Sequence, residues 1–270
     1  MQYKNLLDLH VHTDNSFDGN HSTTFLCERA QMLGLRAVAF TDHSDIDTPD
    51  KKQLERSTLQ SFFEISKAKS AFRGRMIICK GIELGQPIYD IETSERILNS
   101  QKYDFVIGSI HNLRNMQDFW FLDYSKENVP ELLDKYFDEI INLVDWGNFD
   151  ALAHLTYPLR YIVGDNKIPV DLAIYDDKIN TILRTLAEKE LALEINTSGL
   201  RQNLGKTMPE ADIVRRFKDL GGKYITIGSD AHYAEHLGAG INEGMNIAKD
   251  CGFDSITLFQ NREPIQIPIE

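Results

Sequence analysis

The stretch Leu6-Leu7-Asp8-Leu9-His10-Val11-His12-Thr13 decides how the chain is read. Apolar and polar residues alternate in it with period two. Leu7, Leu9 and Val11 therefore share one face of a strand, and Asp8, His10 and His12 the other. Alternate Cβ atoms point the same way, so imidazoles at i and i+2 can both reach one metal ion. By itself His-x-His is a common accident. Recurrence gives it weight, because strand-like runs ending in ligand-type residues repeat down the whole chain.

After this run comes a polar loop over 14–22, then a helix over 23–33 with Gly34 as its left-handed cap. Leu35-Arg36-Ala37-Val38-Ala39-Phe40-Thr41-Asp42-His43 reads as a buried strand, followed by a helix over 57–72. The runs 76–83, 105–111, 151–155, 191–196 and 224–232 read as further strands, with helices over 92–99, 129–144, 172–188 and 211–220 between them. One more helix, over 244–249, and an apolar run, 255–259, form the tail, and the place of that run in the sheet is left open.

Seven β-then-α units without a break in composition predict an α/β fold with a parallel sheet, closed into a barrel, as a single domain over 1–270. An open doubly wound sheet would gather its ligands at one switch point instead of at nearly every strand. Neither glycine-rich nucleotide loop, G-x-G-x-x-G or G-x-x-x-x-G-K-[ST], is present.

A chain of 270 residues with 42 % hydrophobic and 26 % charged residues suits one such barrel. The net charge of −12, with no Lys/Arg-rich block, argues against a nucleic-acid partner. Cys27, Cys79 and Cys251 are odd in number, dispersed and outside any C-x-x-C spacing, which predicts a reduced, cytoplasmic chain. The first residues enter a strand without a signal-like apolar region, and no apolar run is long enough to span a bilayer, so no membrane partner is expected.

Six of the 8 histidines, His10, His12, His43, His111, His154 and His232, fall at the C-terminal ends of predicted strands. Glu83 and Asp230 fall at equivalent ends. In a barrel these ends converge on one face, where enzyme sites of this architecture form. His21 and His236 lie in loops or at helix ends and are read as ordinary, partly exposed histidines. Imidazole and carboxylate without thiolate suit Zn, Fe or Mn. Counting Asp18, the candidate ligands exceed what one tetrahedral ion can use. Two or three ions are implied, with Glu83 the candidate bridge and Gly81 leaving room for them. Lys80, of opposite strand parity, should point away from the site.

Asp8-x-His10-x-His12, Thr41-Asp42-His43, Gly81-x-Glu83, Ser109-x-His111, His154 and Ser229-Asp230-Ala231-His232 together resemble the motifs of the PHP (polymerase and histidinol phosphatase) superfamily. The resemblance spans nearly the whole chain in order. It implies a distorted (β/α)7 TIM-like barrel with three divalent metal ions at the C-terminal ends of the strands. It also implies an assignment of ligands. His10, His12, Glu83 and Asp230 would hold the first ion, Glu83 would bridge to a second completed by His111 and His154, and Asp18, His43 and His232 would hold a third. Some members of the family have histidine where this chain has Asp18, which shifts the expected metal towards Mn or Fe. Within the family, stand-alone chains of this size most resemble the histidinol-phosphate phosphatases.

The expected reaction is hydrolysis of L-histidinol phosphate to L-histidinol and phosphate, a step of histidine biosynthesis, by a metal-activated hydroxide attacking phosphorus. Three divalent ions outweigh Asp18, Glu83, Asp230 and a bridging hydroxide by about two charges, which matches a phosphomonoester dianion. Arg160 is the candidate to hold the phosphate bidentately. Asp42 is the candidate to orient a ligand or protonate the leaving group, although nearby cations would depress its pKa. Asp8 is a candidate orienting residue, and Glu194 and Asn196 receive no role. Two rival functions are a phosphoesterase acting on nucleotides or nucleic-acid ends and a metal-bound scaffold without turnover. The first lacks a basic track, and the second would be expected to have lost ligands.

Overall fold

All five residues of β1 (Leu7–Val11) are buried, as a parallel strand covered on both faces requires. The computed structural model describes residues 3–270. Its barrel strands continue with β2 (Ala37–Phe40), β3 (His43–Asp45), β4 (Ile77–Gly85), β5 (Phe105–Ser109), β6 (Ala151–Leu152), β7 (Ala192–Asn196) and β8 (Ile225–Gly228). They pair in the order β1-β2-β4-β5-β6-β7-β8, all parallel, with β3 also on β4.

The run 35–43, expected as one strand, is therefore two pieces that follow one another along β4. Thr41 and Asp42 turn between them to meet different neighbours, Thr41 N donating to Val11 O at 2.8 Å and Asp42 O accepting from Glu83 N at 3.1 Å. Counted as one barrel position, β2 and β3 leave seven. The first and last strands meet through His12 N donating to Ala231 O at 2.9 Å and Asp230 N donating to His10 O at 2.8 Å. The expected distorted (β/α)7 barrel is the fold observed.

The outer layer is α1 (Thr23–Met32), α2 (Lys51–Ala71), α3 (Ile91–Ser100), α4 (Val129–Trp146), α5 (Asp176–Glu188), the single turn α6 (Ser198–Arg201), α7 (Ala211–Asp219) and α8 (Ile241–Asp250). α2 starts well before residue 57 because the Asp50 side chain accepts from Gln53 N at 3.0 Å and so caps it. α4 buries Leu132, Leu133, Tyr136, Phe137, Ile140, Leu143 and Val144 at helical spacing and stops at Gly147, whose φ of 69° closes the helix.

The tail run at 255–259 is not a barrel strand. β9 (Ser255–Gln260) and β10 (Glu263–Pro268) form an antiparallel hairpin. Its turn is anchored where β5 and β6 begin, Arg262 Nε donating to Asp150 Oδ1 at 2.9 Å and Asn261 N to Asp104 Oδ1 at 3.2 Å. With Phe259 stacked on Phe105 at 5.2 Å, the hairpin covers the end of the barrel opposite the strand C-termini. Among the described residues, no helix is long and apolar enough to cross a membrane.

Candidate metal centre

The strand C-termini bring all nine predicted ligands to one place. His10 on β1 and His12 just past its end project to the same side, and their Nε2 atoms lie 3.0 Å apart. Glu83 Oε2 is 3.1 Å from His10 Nε2 and 3.4 Å from His12 Nε2, and Asp230 Oδ1 is 3.8 and 3.4 Å from the same two atoms. The other oxygen of Glu83, Oε1, is 3.1 Å from His111 Nε2 and 3.0 Å from His154 Nε2, which are 3.4 Å from each other. Asp18 Oδ2 is 3.0 Å from His232 Nε2 and 3.6 Å from His43 Nε2.

These separations fit metal ligation. Nitrogen ligands at about 2.0–2.1 Å around a tetrahedral zinc ion are about 3.3 Å apart. Neutral imidazoles meeting nitrogen to nitrogen can share only one proton per contact, whereas a cation between them satisfies both lone pairs. Asp18 Oδ1 is also buried without a hydrogen-bond partner, which an ion would supply.

Opposite charges are matched inside the cluster: burial opposes the charge on His10, His43 and His111, but Glu194 and Glu83 at the first and Glu83 at the other two raise all three. Burial works against the charge on Glu83, but His10, His43 and His111 outweigh it and hold its carboxyl well below the usual range. Burial likewise opposes the charge on Asp230, and His10, His12, His232 and Arg160 keep it well below its ordinary value. His12 is the contrasting case, since burial and the neighbouring His232 and His43 push its imidazole well below the ordinary value, favouring the neutral, ligating form.

The outer nitrogens are held as well. His10 Nδ1 lies 2.7 Å from Glu194 Oε1, His111 Nδ1 3.2 Å from Asp45 Oδ1, and His232 Nδ1 3.0 Å from the backbone oxygen of Asp230. His12 Nδ1 lies 3.2 Å from Ser16 Oγ. Each contact leaves Nε2 to face the cluster. A glycine opens the space for the Asp45 contact: a Cβ on Gly85 would fall 1.9 Å from Asp45 Oδ1.

Three residues depart from expectation. Asp42 is saturated by Thr13 N at 2.6 Å, Thr13 Oγ1 at 2.8 Å, Ser16 Oγ at 3.1 Å and Ser61 Oγ at 2.5 Å, and it does not line the cavity. Burial raises its carboxyl despite these donors, contrary to the expected depression, but it stands away from the cavity, and its contact with the site runs through Ser16 to His12. Gly81 gives room to the neighbouring strand and not to metals, because a Cβ there would fall 2.7 Å from Phe40 O. Asp8 accepts from Ser229 N at 2.8 Å, Ser229 Oγ at 2.6 Å and Gly238 N at 2.8 Å, so it braces the turn that carries Asp230 instead of touching a ligand.

The cavity above the cluster encloses about 670 Å³ and includes Arg160, at the start of a π-helical turn (Arg160–Asp165). Arg160 Nη1 lies 3.7 Å from Asp230 Oδ2. Arg201, which the sequence did not single out, lines the same cavity and donates to Ser229 O at 2.5 Å and Asp230 O at 2.7 Å. His236 reaches the cavity wall and joins no ligand group, while His21 packs with a tilted ring against Phe25 outside it. Lys80 points away as expected, its Nζ donating to Lys102 O at 2.7 Å.

The sequence matches the PHP domain family over residues 8–198, most of the chain and most of the ligands. The chain belongs to the PHP family. A probable histidinol-phosphatase of Thermotoga maritima is 30 % identical to this PHP protein over 255 residues, covering 94 % of the chain and 95 % of the relative. A histidinol-phosphatase of Lactococcus lactis is 29 % identical and is covered to 94 %, as is the chain. Among solved structures, the Lactococcus lactis histidinol phosphate phosphatase complexed with Zn, L-histidinol and phosphate superposes with a TM-score of 0.83 at 26 % identity, covering 96 % of this chain and 98 % of that one. The zinc in that structure accords with the imidazole-rich donor set of this PHP protein.

Proposed function

We propose that this chain is a metal-dependent phosphomonoesterase that hydrolyses L-histidinol phosphate to L-histidinol and phosphate. The observation that carries the reading is the meeting of nine ligand-type side chains, seven of them lining one cavity with two arginines, in a chain similar over 94 % of its length to histidinol-phosphatases. Three divalent ions are assigned to the site, the first to His10, His12, Glu83 and Asp230, the second to Glu83, His111 and His154, and the third to Asp18, His43 and His232. Such ions supply hydroxide near neutral pH and neutralise phosphate charge.

The remaining work falls to the chain itself. Arg160 binds phosphate oxygens at the side of the first metal position, and Arg201 adds a second positive group beside it. Asp47, Asp118 and Asp165 line the same cavity and belong to no ligand group. They are suited to the cationic amine of an amino-alcohol phosphate and unsuited to a polyanion. The three cysteines are buried and unpaired, in keeping with a reducing, cytoplasmic setting for the reaction.

Turnover of the purified, metal-loaded protein against a panel of phosphomonoesters tests this. L-Histidinol phosphate should give a kcat/KM at least a hundredfold above sugar phosphates and nucleotides. Comparable rates across the panel, or preference for a nucleotide, would overturn the assignment.

A further inference from the structure

A buried carboxylate that supplies no metal ligand remains unused by the function above. Glu194, in the middle of β7, is 1 % exposed. Its Oε1 lies 2.7 Å from His10 Nδ1, and its Oε2 accepts from the backbone N of His154 at 2.8 Å and from Asn196 Nδ2 at 3.1 Å. His10 and His154 belong to different groups of the cluster. We propose that Glu194 is a positioning residue that couples two metal positions, one oxygen fixing the ring of His10 and the other the backbone of His154. The proposal rests on the reading of those two histidines as metal ligands.

The two ends of the contact need different things from it. A carboxylate only accepts, so His10 must present Nδ1–H to Oε1, which leaves the Nε2 lone pair facing His12 and Glu83. At His154 the constraint is on the chain. Its φ of 23° lies in a region that non-glycine residues avoid, and its N–H would be buried without a partner but for Oε2. A single planar group thus sets a tautomer on one side and a backbone conformation on the other.

The topology makes this contact a built feature. β7 is two places from β1, with β8 between them. Glu194 crosses β8 at Gly228, where a Cβ would fall 2.2 Å from the Cβ of His10 and 2.5 Å from Glu194 Oε1. Any other residue at 228 would occupy the place where the two side chains meet. The apolar neighbours Leu193 and Ile195 alternate to the other face of β7, so their packing gives no reason for an acid at 194.

Glu194→Gln separates positioning from filling space. The amide has the same shape but one acceptor, so whichever way it turns, an NH2 group faces either His10 Nδ1 or the His154 N–H. Purified variant and wild type, both loaded with zinc, would be dialysed against a graded series of chelator and their zinc per chain measured. The variant should release more than one ion per chain at chelator concentrations ten- to a hundredfold lower than wild type, with its circular dichroism unchanged. Zinc retention equal to wild type would overturn the proposal.

Should the variant fail to fold, the wild type decides. In protein loaded with cadmium-113 and labelled with nitrogen-15, His10 should couple to cadmium through Nε2 and carry a deshielded, exchange-protected Nδ1 proton. Coupling through Nδ1, or a freely exchanging Nδ1 proton, would overturn the positioning role while leaving the metal reading intact. No cadmium coupling at His10 would overturn both. Substrate enters neither measurement, so an error in the assignment of L-histidinol phosphate changes none of these outcomes.

Discussion

Glu83→Gln tests the centre of the arrangement. Glu83 is fully buried, with Oε1 3.1 and 3.0 Å from the Nε2 atoms of His111 and His154 and Oε2 3.1 and 3.4 Å from those of His10 and His12. The amide retains the shape but loses the charge and one acceptor. Removing one partner from a buried set of opposite charges costs roughly 3–5 kcal/mol. If each bridged ion loses about 4 kcal/mol, its dissociation constant rises about a thousandfold. Occupancy at both positions should therefore fall together. The position of Asp18, His43 and His232 should suffer least, since Glu83 meets it only through His43 Nδ1 at 3.2 Å. Elemental analysis after dialysis should find more than one ion lost per chain, and turnover should fall by orders of magnitude while the melting profile of the metal-free protein stays cooperative. Loss of a single ion, or full occupancy with activity retained, would show that Glu83 is not the bridge.

Four further outcomes are expected. Prolonged chelation should abolish phosphatase activity and added divalent metal should restore it, and full activity in a verified metal-free sample would defeat the mechanism. Arg160→Ala should lower kcat/KM by the roughly 1.5–3 kcal/mol of a charge-assisted contact with metal content intact, whereas unchanged kinetics would remove Arg160 from substrate binding. Gly85→Ala should displace Asp45 from His111 and weaken metal retention roughly ten- to a hundredfold, which the same chelator titration would register. Burial raises the Asp150 carboxyl to about 6 against the opposing pull of Arg262, so its favourable contribution is full below about pH 4 and is lost as pH rises through about 6. Denaturant unfolding of metal-free protein should accordingly show wild type losing up to about 3 kcal/mol relative to Asp150→Asn between pH 4 and 7, and a difference independent of pH would refute it.

What was legible in the sequence is what depends on neighbours along the chain. The two-residue period of Leu7 to Val11, the αL glycines after α1 and α4, and the histidines closing successive strands all express local geometry, and they carried the fold and the ligand set. The departures come from contacts between distant segments. β6 pairs over only two residues, Ala151 and Leu152, and His154 after it has a positive φ of 23°. The apolar run 255–259 resembles a barrel strand, yet β10 was available to pair with it. Asp45 and Glu194 became orienting groups through partners 66 and 184 residues away. Only Glu194 left a trace in the sequence, as an acid inside the apolar run Leu191-Ala192-Leu193-Glu194-Ile195. Asp42 misled because it neighbours His43 in sequence, whereas the bend between β2 and β3 turns its carboxylate onto Thr13, Ser16 and Ser61.

Closure of the barrel is what joins these local signals into one site. His10 and His12 stand on the first strand and Asp230 follows the last, and no helix or loop links them directly. Their meeting depends on two backbone hydrogen bonds, Asp230 N to His10 O and His12 N to Ala231 O, and on Asp8 gripping Ser229 and Gly238 from inside β1. Asp230 holds a φ of 53° there, a conformation aspartate tolerates better than most residues, and Arg201 binds the carbonyls of Ser229 and Asp230 that the turn exposes. A slip of one residue between β1 and β8 would send His10 and His12 to the opposite face and remove the first metal position entirely. Asp8 and Arg201, which help fix this register, therefore belong to the proposed metal site, although neither is itself a proposed ligand.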